Sequence, residues 1–265
     1  MLEKIDAHSL SYIIGFIQGD GHHGETTRNR GKVEIELSLK DIDILDKIES
    51  CLNPFFSVNR RNRLRSTNFI LDHESVSLTI HDLAFRTAIK PFVPIGRKSD
   101  IIEPPFALLG FSKRDYIRGL IDADGAVGVR TDGKPFISLC ISSEKIKEFF
   151  IDSIFEVTGL RKEMKRNSRD NVYNIMLNNE EAILYADYLY KDSSLYLDRK
   201  YLKYNEMLLW QRNNKKRTWT STKWTQEEDN IVLDLNITLE KKIEILGRTD
   251  RSIGMRWYRL NGKNY

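Results

Sequence analysis

A chain of 265 residues is long enough for a sizeable core and for more than one domain. With 40% hydrophobic and 30% charged residues it has the balance of a soluble globular protein, and its longest apolar run near the N-terminus, residues 12–17, is too short for a signal core or a membrane span. The net charge of +4 conceals clustered cations, and two cysteines in apolar contexts, Cys51 and Cys140, imply neither a disulfide framework nor a zinc site, so an intracellular protein with no membrane partner is expected.

The first element is an apolar segment, Ile13-Ile14-Gly15-Phe16-Ile17-Gln18-Gly19-Asp20-Gly21, and it returns as Ile117-Arg118-Gly119-Leu120-Ile121-Asp122-Ala123-Asp124-Gly125, an offset of 124 − 20 = 104 residues. A polar loop follows the first copy, then an alternating strand at 32–39, a helix at 41–52, strand-like stretches at 55–64 and 75–80, and a further helix ending at Arg97-Lys98. The second copy repeats the order: a strand at 136–141, a helix at 143–158, strand-like stretches at 161–166 and 172–177, and a helix before Arg199-Lys200. The expected fold is α+β, two duplicated αββαββα units (1–105 and 106–210) related by a pseudo-two-fold axis, with antiparallel sheets.

Each repeated helix carries small residues four apart, Gly15 and Gly19 in one and Gly119 and Ala123 in the other, on a single face. Packed through those faces, the helices would bring Asp20 and Asp124 together at their C-terminal ends, with Gly21 and Gly125 expected in the left-handed conformation that ends a helix. Two carboxylates beside two negative dipole ends call for a counter-charge. Oxygen-only ligands favour a hard cation such as Mg²⁺, and metal-bridged acids are what in-line phosphodiester hydrolysis uses.

The paired motif resembles that of single-chain LAGLIDADG homing endonucleases, and the second copy, Gly119 to Gly125, matches nearly letter for letter. The resemblance implies that Asp20 and Asp124 bind catalytic divalent metals, helped by backbone oxygens of Gly19 and Ala123. It also implies that Lys98 and Lys200 lie near the cleavage site, and that the strands form saddle-shaped sheets in the major groove of double-stranded DNA. The candidate DNA contacts are Arg28, Arg30, Arg60, Arg61, Arg63 and Arg65 in the first repeat, and Lys162, Lys165, Arg166 and Arg169 in the second. Gln18 departs from the motif, which has Asp there. His22 and His23 follow only the first motif and are expected in a loop.

Beyond a basic linker at 211–222, where Lys215, Lys216 and Arg217 are further DNA candidates, the composition changes. Thr225 and Glu228 form a capping box, apolar residues recur at Ile231, Leu233 and Leu235, a second helix stops at Gly247, and a third carries Ile253 and Trp257 inward. Residues 223–265 resemble a Myb/SANT helix-turn-helix, whose third helix would expose Arg248, Arg251, Arg256 and Arg259 to DNA. The resemblances together imply a monomeric endonuclease that cuts a long asymmetric site. The same fold would also serve a non-catalytic transcriptional regulator, or a maturase whose partner is intron RNA.

Overall fold

The computed structural model describes residues 2–65, 73–212 and 224–261, in two compact units, Met1–Arg212 and Asn213–Tyr265. In chain order the larger unit contains α1 (Ala7–Asp20), β1 (Gly21–Glu25), β2 (Gly31–Ser38), α2 (Ile42–Leu52), β3 (Val58–Arg65), β4 (His73–Ile80) and α3 (Leu83–Ile89). There follow α4 (Lys113–Asp124), β5 (Gly125–Val129), β6 (Pro135–Ile141), α5 (Glu144–Thr158), β7 (Tyr173–Asn178), α6 (Asn179–Tyr190) and α7 (Asp198–Leu208). The strands form two antiparallel sheets, ordered β1-β2-β4-β3 and β5-β6-β7. The fold is α+β, and no helix among the described residues is long and apolar enough to cross a membrane.

The alternation in β2 and β6 sets which side of each sheet is buried. Val33 and Ile35 pair with Ile80 and Leu78, and Ile137 and Leu139 pair with Leu177 and Ile175, all in the core. Helices cover that side of each sheet and leave the other side open. Asp6 caps α1, accepting from Ser9 N at 2.9 Å, and Ser143 caps α5, accepting from Ile146 N at 3.2 Å, but Asp41 at the start of α2 makes no side-chain cap.

Two local readings of the sequence are corrected. The residues after each motif are not a polar loop but the short strands β1 and β5, so His23 faces the core and only His22 points outward. His23 Nδ1 lies 2.8 Å from Val93 O, a packing role that strand alternation dictates. Secondly, residues 161–166 form no strand, which leaves the second sheet with three strands against four in the first. Five of those six side chains are charged, so only Met164 packs on the core, and a strand there would bury too little. Arg166 instead donates to Ser142 O at 2.8 Å and Asn171 O at 2.7 Å, and its guanidinium lies 4.6 Å from the Tyr173 ring centre.

The smaller unit is all-helical: α8 (Gln226–Leu233), α9 (Leu239–Leu246) and α10 (Asp250–Leu260). The capping box at Thr225 and Glu228 is formed, and Gly247 ends α9 at φ 61°, the left-handed region where glycine carries no steric cost. The apolar reading differs in detail. Val232, not its neighbours, is the buried apolar residue of α8, and Leu235 lies past the helix end, 86% exposed. On α10, Ile253 is buried but Trp257 is 37% exposed. The small core is finished by Lys242, whose ammonium donates to Val232 O at 2.8 Å.

Candidate functional site

Helices α1 and α4 meet backbone to backbone. A Cβ added at Gly15 would lie 2.3 Å from Tyr116 O, one at Gly119 2.2 Å from Tyr12 O, and one at Gly19 2.4 Å from the Ala123 Cβ and 3.3 Å from Asp124 Oδ2. No side chain larger than these fits, which is why small residues four apart are required. Both helices therefore end in one place, on Asp20 and Asp124. The glycines that follow are not left-handed: Gly21 has φ −84°, ψ 164° and Gly125 φ −92°, ψ 179°, extended backbone that leads straight into β1 and β5. Glycine is needed for space instead, since a Cβ would come within 2.7 Å of the Ile17 and Ile121 carbonyl oxygens.

Asp20 and Asp124 are exposed at the helix ends, with protein packed around the inner side of each carboxyl. That partial burial is the main cause raising the pKa of both, and the charge of Asp20 raises Asp124 further. Lys98 and Lys200 are buried beneath them. Lys98 Nζ donates to Gly19 O at 3.2 Å; Lys200 Nζ donates to Ile121 O at 2.6 Å and to Asp122 O and Gly125 O at 2.8 Å. The lysines bond carbonyls at the helix ends, those of Gly19 and Asp122 among them, and place positive charge at the negative dipole ends. Burial lowers both amines against the raising effect of the nearby carboxylates, Lys200 to about 8.

A second pair of contacts locks the helices and was not anticipated. Tyr12 OH donates to Asp122 Oδ2 at 2.7 Å, and Tyr116 OH donates to Gln18 Oε1, each tyrosine reaching the position two before the other helix's terminal Asp. Asp122 also accepts from Tyr190 OH at 2.6 Å and Leu197 N at 2.9 Å, and its burial raises its pKa. Gln18 takes the matching place by donating to Phe92 O at 2.7 Å and Glu103 O at 3.0 Å. The departure from the motif at Gln18 thus falls at a bracing position, away from the carboxyl pair. The repeat spacing offered the signal, since Tyr12 and Tyr116 are also 104 residues apart. Asp41 was likewise missed. It is buried and accepts a two-pronged bond from Arg199, at 2.6 and 3.1 Å, beside Lys200.

Strand register divides the cationic candidates. Arg61 pairs with Ser77 and Arg63 with Ser75, on the open face of the first sheet. Arg60 pairs with Leu78 and falls on the helix-covered side, held by Asp46 at 2.6 Å and by Glu49. It therefore does not belong with the open-face group: a one-residue step in a strand reverses the face. On the open face Arg63 bridges Glu34 at 2.8 Å and Glu36 at 2.7 Å. Arg28 and Arg30 are exposed in the β1–β2 hairpin, where Arg28 and Asn29 both have φ 58°. A cleft of about 770 Å³ beside that hairpin shares His22 and Lys32 with the open face and does not include the carboxyl pair.

In the second half Lys162, Lys165, Arg166 and Arg169 lie on the segment before β7, with Arg169 tied to Asp170 at 2.6 Å and Arg166 to the backbone as above. In the smaller unit Arg248 and Arg256 are turned inward. Arg248 bonds Glu228 at 2.8 and 3.0 Å and lies 4.0 Å from the Trp224 ring centre, and Arg256 bonds Asp229 at 2.6 and 2.7 Å. Both brace the three-helix core, which leaves Arg251 and Arg259 exposed on α10. Lys215, Lys216 and Arg217 lie outside the described residues, as does the Arg65 side chain.

No protein-family profile and no curated protein matches the chain. Among solved structures, it is similar to the homing endonuclease I-WcaI bound to its DNA recognition sequence, with TM-score 0.55 and 15% identity, covering 74% of this chain and 87% of that one. It also matches the I-LtrWI LAGLIDADG homing endonuclease bound to target DNA (TM-score 0.49, 11% identity, 76% and 89% covered). A third match is the N-terminal LAGLIDADG domain of DUF199/WhiA (TM-score 0.46, 15% identity, 73% and 86% covered). At this identity the I-WcaI likeness shows the fold and nothing finer.

Proposed function

We propose that this chain is a monomeric DNA endonuclease of the LAGLIDADG homing type, built from two duplicated units, that hydrolyses both strands of a long asymmetric duplex. The smaller unit is a Myb-like helix-turn-helix that extends the contact. One observation carries the reading: two helices packed through small residues end on Asp20 and Asp124, above two buried lysines. Chains with unlike halves fit a target with unlike half-sites, and a tethered second module adds affinity through effective concentration.

The donor set fits a hard divalent cation. Among the described residues no cluster of three or more His, Cys, Asp or Glu side chains could hold a metal without other ligands, so two carboxylates would need backbone, water and phosphate oxygens to complete the shell. That is the usual arrangement for Mg²⁺. Asp20 and Asp124 would hold it, with the Ala123 carbonyl and the lone pair of Gly19 O that Lys98 leaves free. Bound there, the metal would activate water and stabilise the leaving oxygen. Lys98 and Lys200 hold the helix ends in place and keep positive charge beneath the site, while Arg61 and Arg63 face the backbone of the duplex from the sheet.

The protein incubated with a genomic or randomised duplex library in Mg²⁺, and separately in Ca²⁺, tests the reading by sequencing of broken ends. Recurrent double-strand breaks at one long sequence are the expected result. Selective binding without breaks in any divalent metal would instead make the chain a non-catalytic regulator.

Two outcomes depend on individual side chains. Arg61→Ala is expected to weaken duplex binding and lower the slope of log Kd against log salt by about one. Arg60→Ala is expected to leave that slope unchanged and to cost about 1 kcal/mol in urea unfolding, through loss of its pairs with α2. Equal effects on binding would overturn the assignment of faces.

Lys200 uses three donors, so the ammonium is the form that caps α4. Since its folded pKa is about 8, cleavage is expected to fall as pH rises through that value. Lys200→Arg, charged throughout, should move the fall to higher pH. A profile of the same shape in both proteins would remove Lys200 from the pH response.

A further inference from the structure

The two open sheet faces differ in chemistry. The first is charged and hydrogen-bonding, with Glu34, Glu36, Arg61 and Arg63 on it. On the second, Ala126, Ser138 and Met176 align across β5, β6 and β7, and Cys140 pairs with Asn174 in the next row. Ala126, Cys140, Asn174 and Met176 are exposed, and no Asp, Glu, Lys, Arg or His projects from this face of the three strands. Among the described residues, cations stand at its rim: Arg130 and Lys134 in the β5–β6 hairpin, both drawn toward Asp132 at 3.6 and 3.2 Å, and Lys203 of α7 beside Gly128. The face adjoins the carboxyl pair: Ala126 is two residues beyond Asp124, and after burial the charge of Asp124 is the next influence raising the Cys140 thiol.

A cationic rim around an uncharged centre that presents the Ala126 and Met176 methyls is complementary to a major groove whose phosphates lie at the edges and whose floor carries apolar groups. We propose that this face reads thymine methyls, so that one half-site is recognised by apolar contact and the other by charged hydrogen bonds. The inference rests on the reading that duplex DNA lies along both sheets. Thymine alone places a methyl group in the major groove, and Ala126 and the Met176 thioether supply surface for it. A cytosine amino group set against the same atoms would lose its water without gaining a partner. Asn174 offers the amide that bonds adenine N6 and N7, the base opposite each thymine.

The test begins with selection of bound duplexes from a randomised library by the full chain in Ca²⁺. The recovered site is then resynthesised with deoxyuridine for every thymidine in one half-site at a time, which removes only methyl groups. Deoxyuridine in one half is expected to weaken binding about fourfold for each contacted thymine, and in the other half to change it less than twofold. Met176→Gln should reduce the sensitivity of that half to the substitution, leaving the part that Ala126 contributes. Tolerance of deoxyuridine in both halves, or sensitivity unchanged in Met176→Gln, would overturn the proposal while leaving a duplex-binding protein. Failure to select any duplex would overturn both this inference and the nuclease reading.

Discussion

Asp20→Asn and Asp124→Asn are each expected to reduce double-strand cleavage in Mg²⁺ by on the order of a thousandfold or more, the loss expected when a metal ligand worth several kcal/mol of transition-state stabilisation is removed. Duplex binding in Ca²⁺ should survive, because on the proposed reading the sheets and not the carboxyls would hold the duplex. The same variants should melt at a higher temperature than the parent in metal-free buffer at neutral pH. Both carboxyls have raised pKa values in the folded chain, by burial first and for Asp124 by the charge of Asp20 as well. The folded state therefore holds these protons more tightly than the unfolded state does. The stability linked to them is fully present below the ordinary carboxylate range near pH 4 and is lost as pH rises through the raised folded values. Asparagine does not ionise, so the difference in melting temperature between variant and parent should be absent in acid and grow toward neutral pH. Adding Mg²⁺ should narrow it by stabilising the parent alone. Calorimetry at several pH values with and without chelator reads all three effects. A pH-independent difference would mean that these carboxyls are not crowded together as described.

Gly119→Ala is expected to cost about 3 kcal/mol or more of stability in urea unfolding, near the upper end for overpacking. The added Cβ would sit 2.2 Å from Tyr12 O and 2.9 Å from Phe16 N, backbone atoms of a buried helix that cannot turn aside. Relief requires the helices to separate, which would also part Asp20 from Asp124, so cleavage should be lost in any protein that still folds. Gly254→Ala on α10 is the control. Its Cβ meets nothing within 4 Å, and alanine in a helix should stabilise the smaller unit by about 1 kcal/mol. If Gly119→Ala unfolds like the parent, the close contact of α1 and α4 is not what holds the larger unit together.

Much of this was legible along the chain because the relevant physics is periodic. Small residues four apart predict two helices in contact, and alternation in β2 and β6 predicts sheets with one buried side. The capping box of α8 and the glycine end of α9 are local chemistry and formed as read. Where the reading failed, the deciding energy came from residues far away in sequence. Residues 161–166 have the length of a strand but only one side chain to bury, and the Arg166 guanidinium bonds the Ser142 and Asn171 carbonyls instead. Gly21 and Gly125 are glycines for lack of room, which a turn preference cannot distinguish from a left-handed cap.

The candidate site divides in the same way. The sequence by itself determined which residues the proposed chemistry would use: two acids after two small-residue helices, two lysines ending the repeats, and arginines on a strand-like stretch. Only the tertiary structure decided their roles, because a role depends on what lies opposite. Register turned Arg60 toward Asp46 and Glu49 while leaving Arg61 and Arg63 on the open face. Packing in the small unit bound Arg248 and Arg256 to Glu228 and Asp229 and left Arg251 and Arg259 outside. Burial set Lys98 and Lys200 against helix-end carbonyls, and put Tyr12 and Tyr116 across the helix pair onto Asp122 and Gln18. A charged side chain is equally at home in water, against phosphate or in an ion pair, and sequence periodicity does not reveal which of these surrounds it.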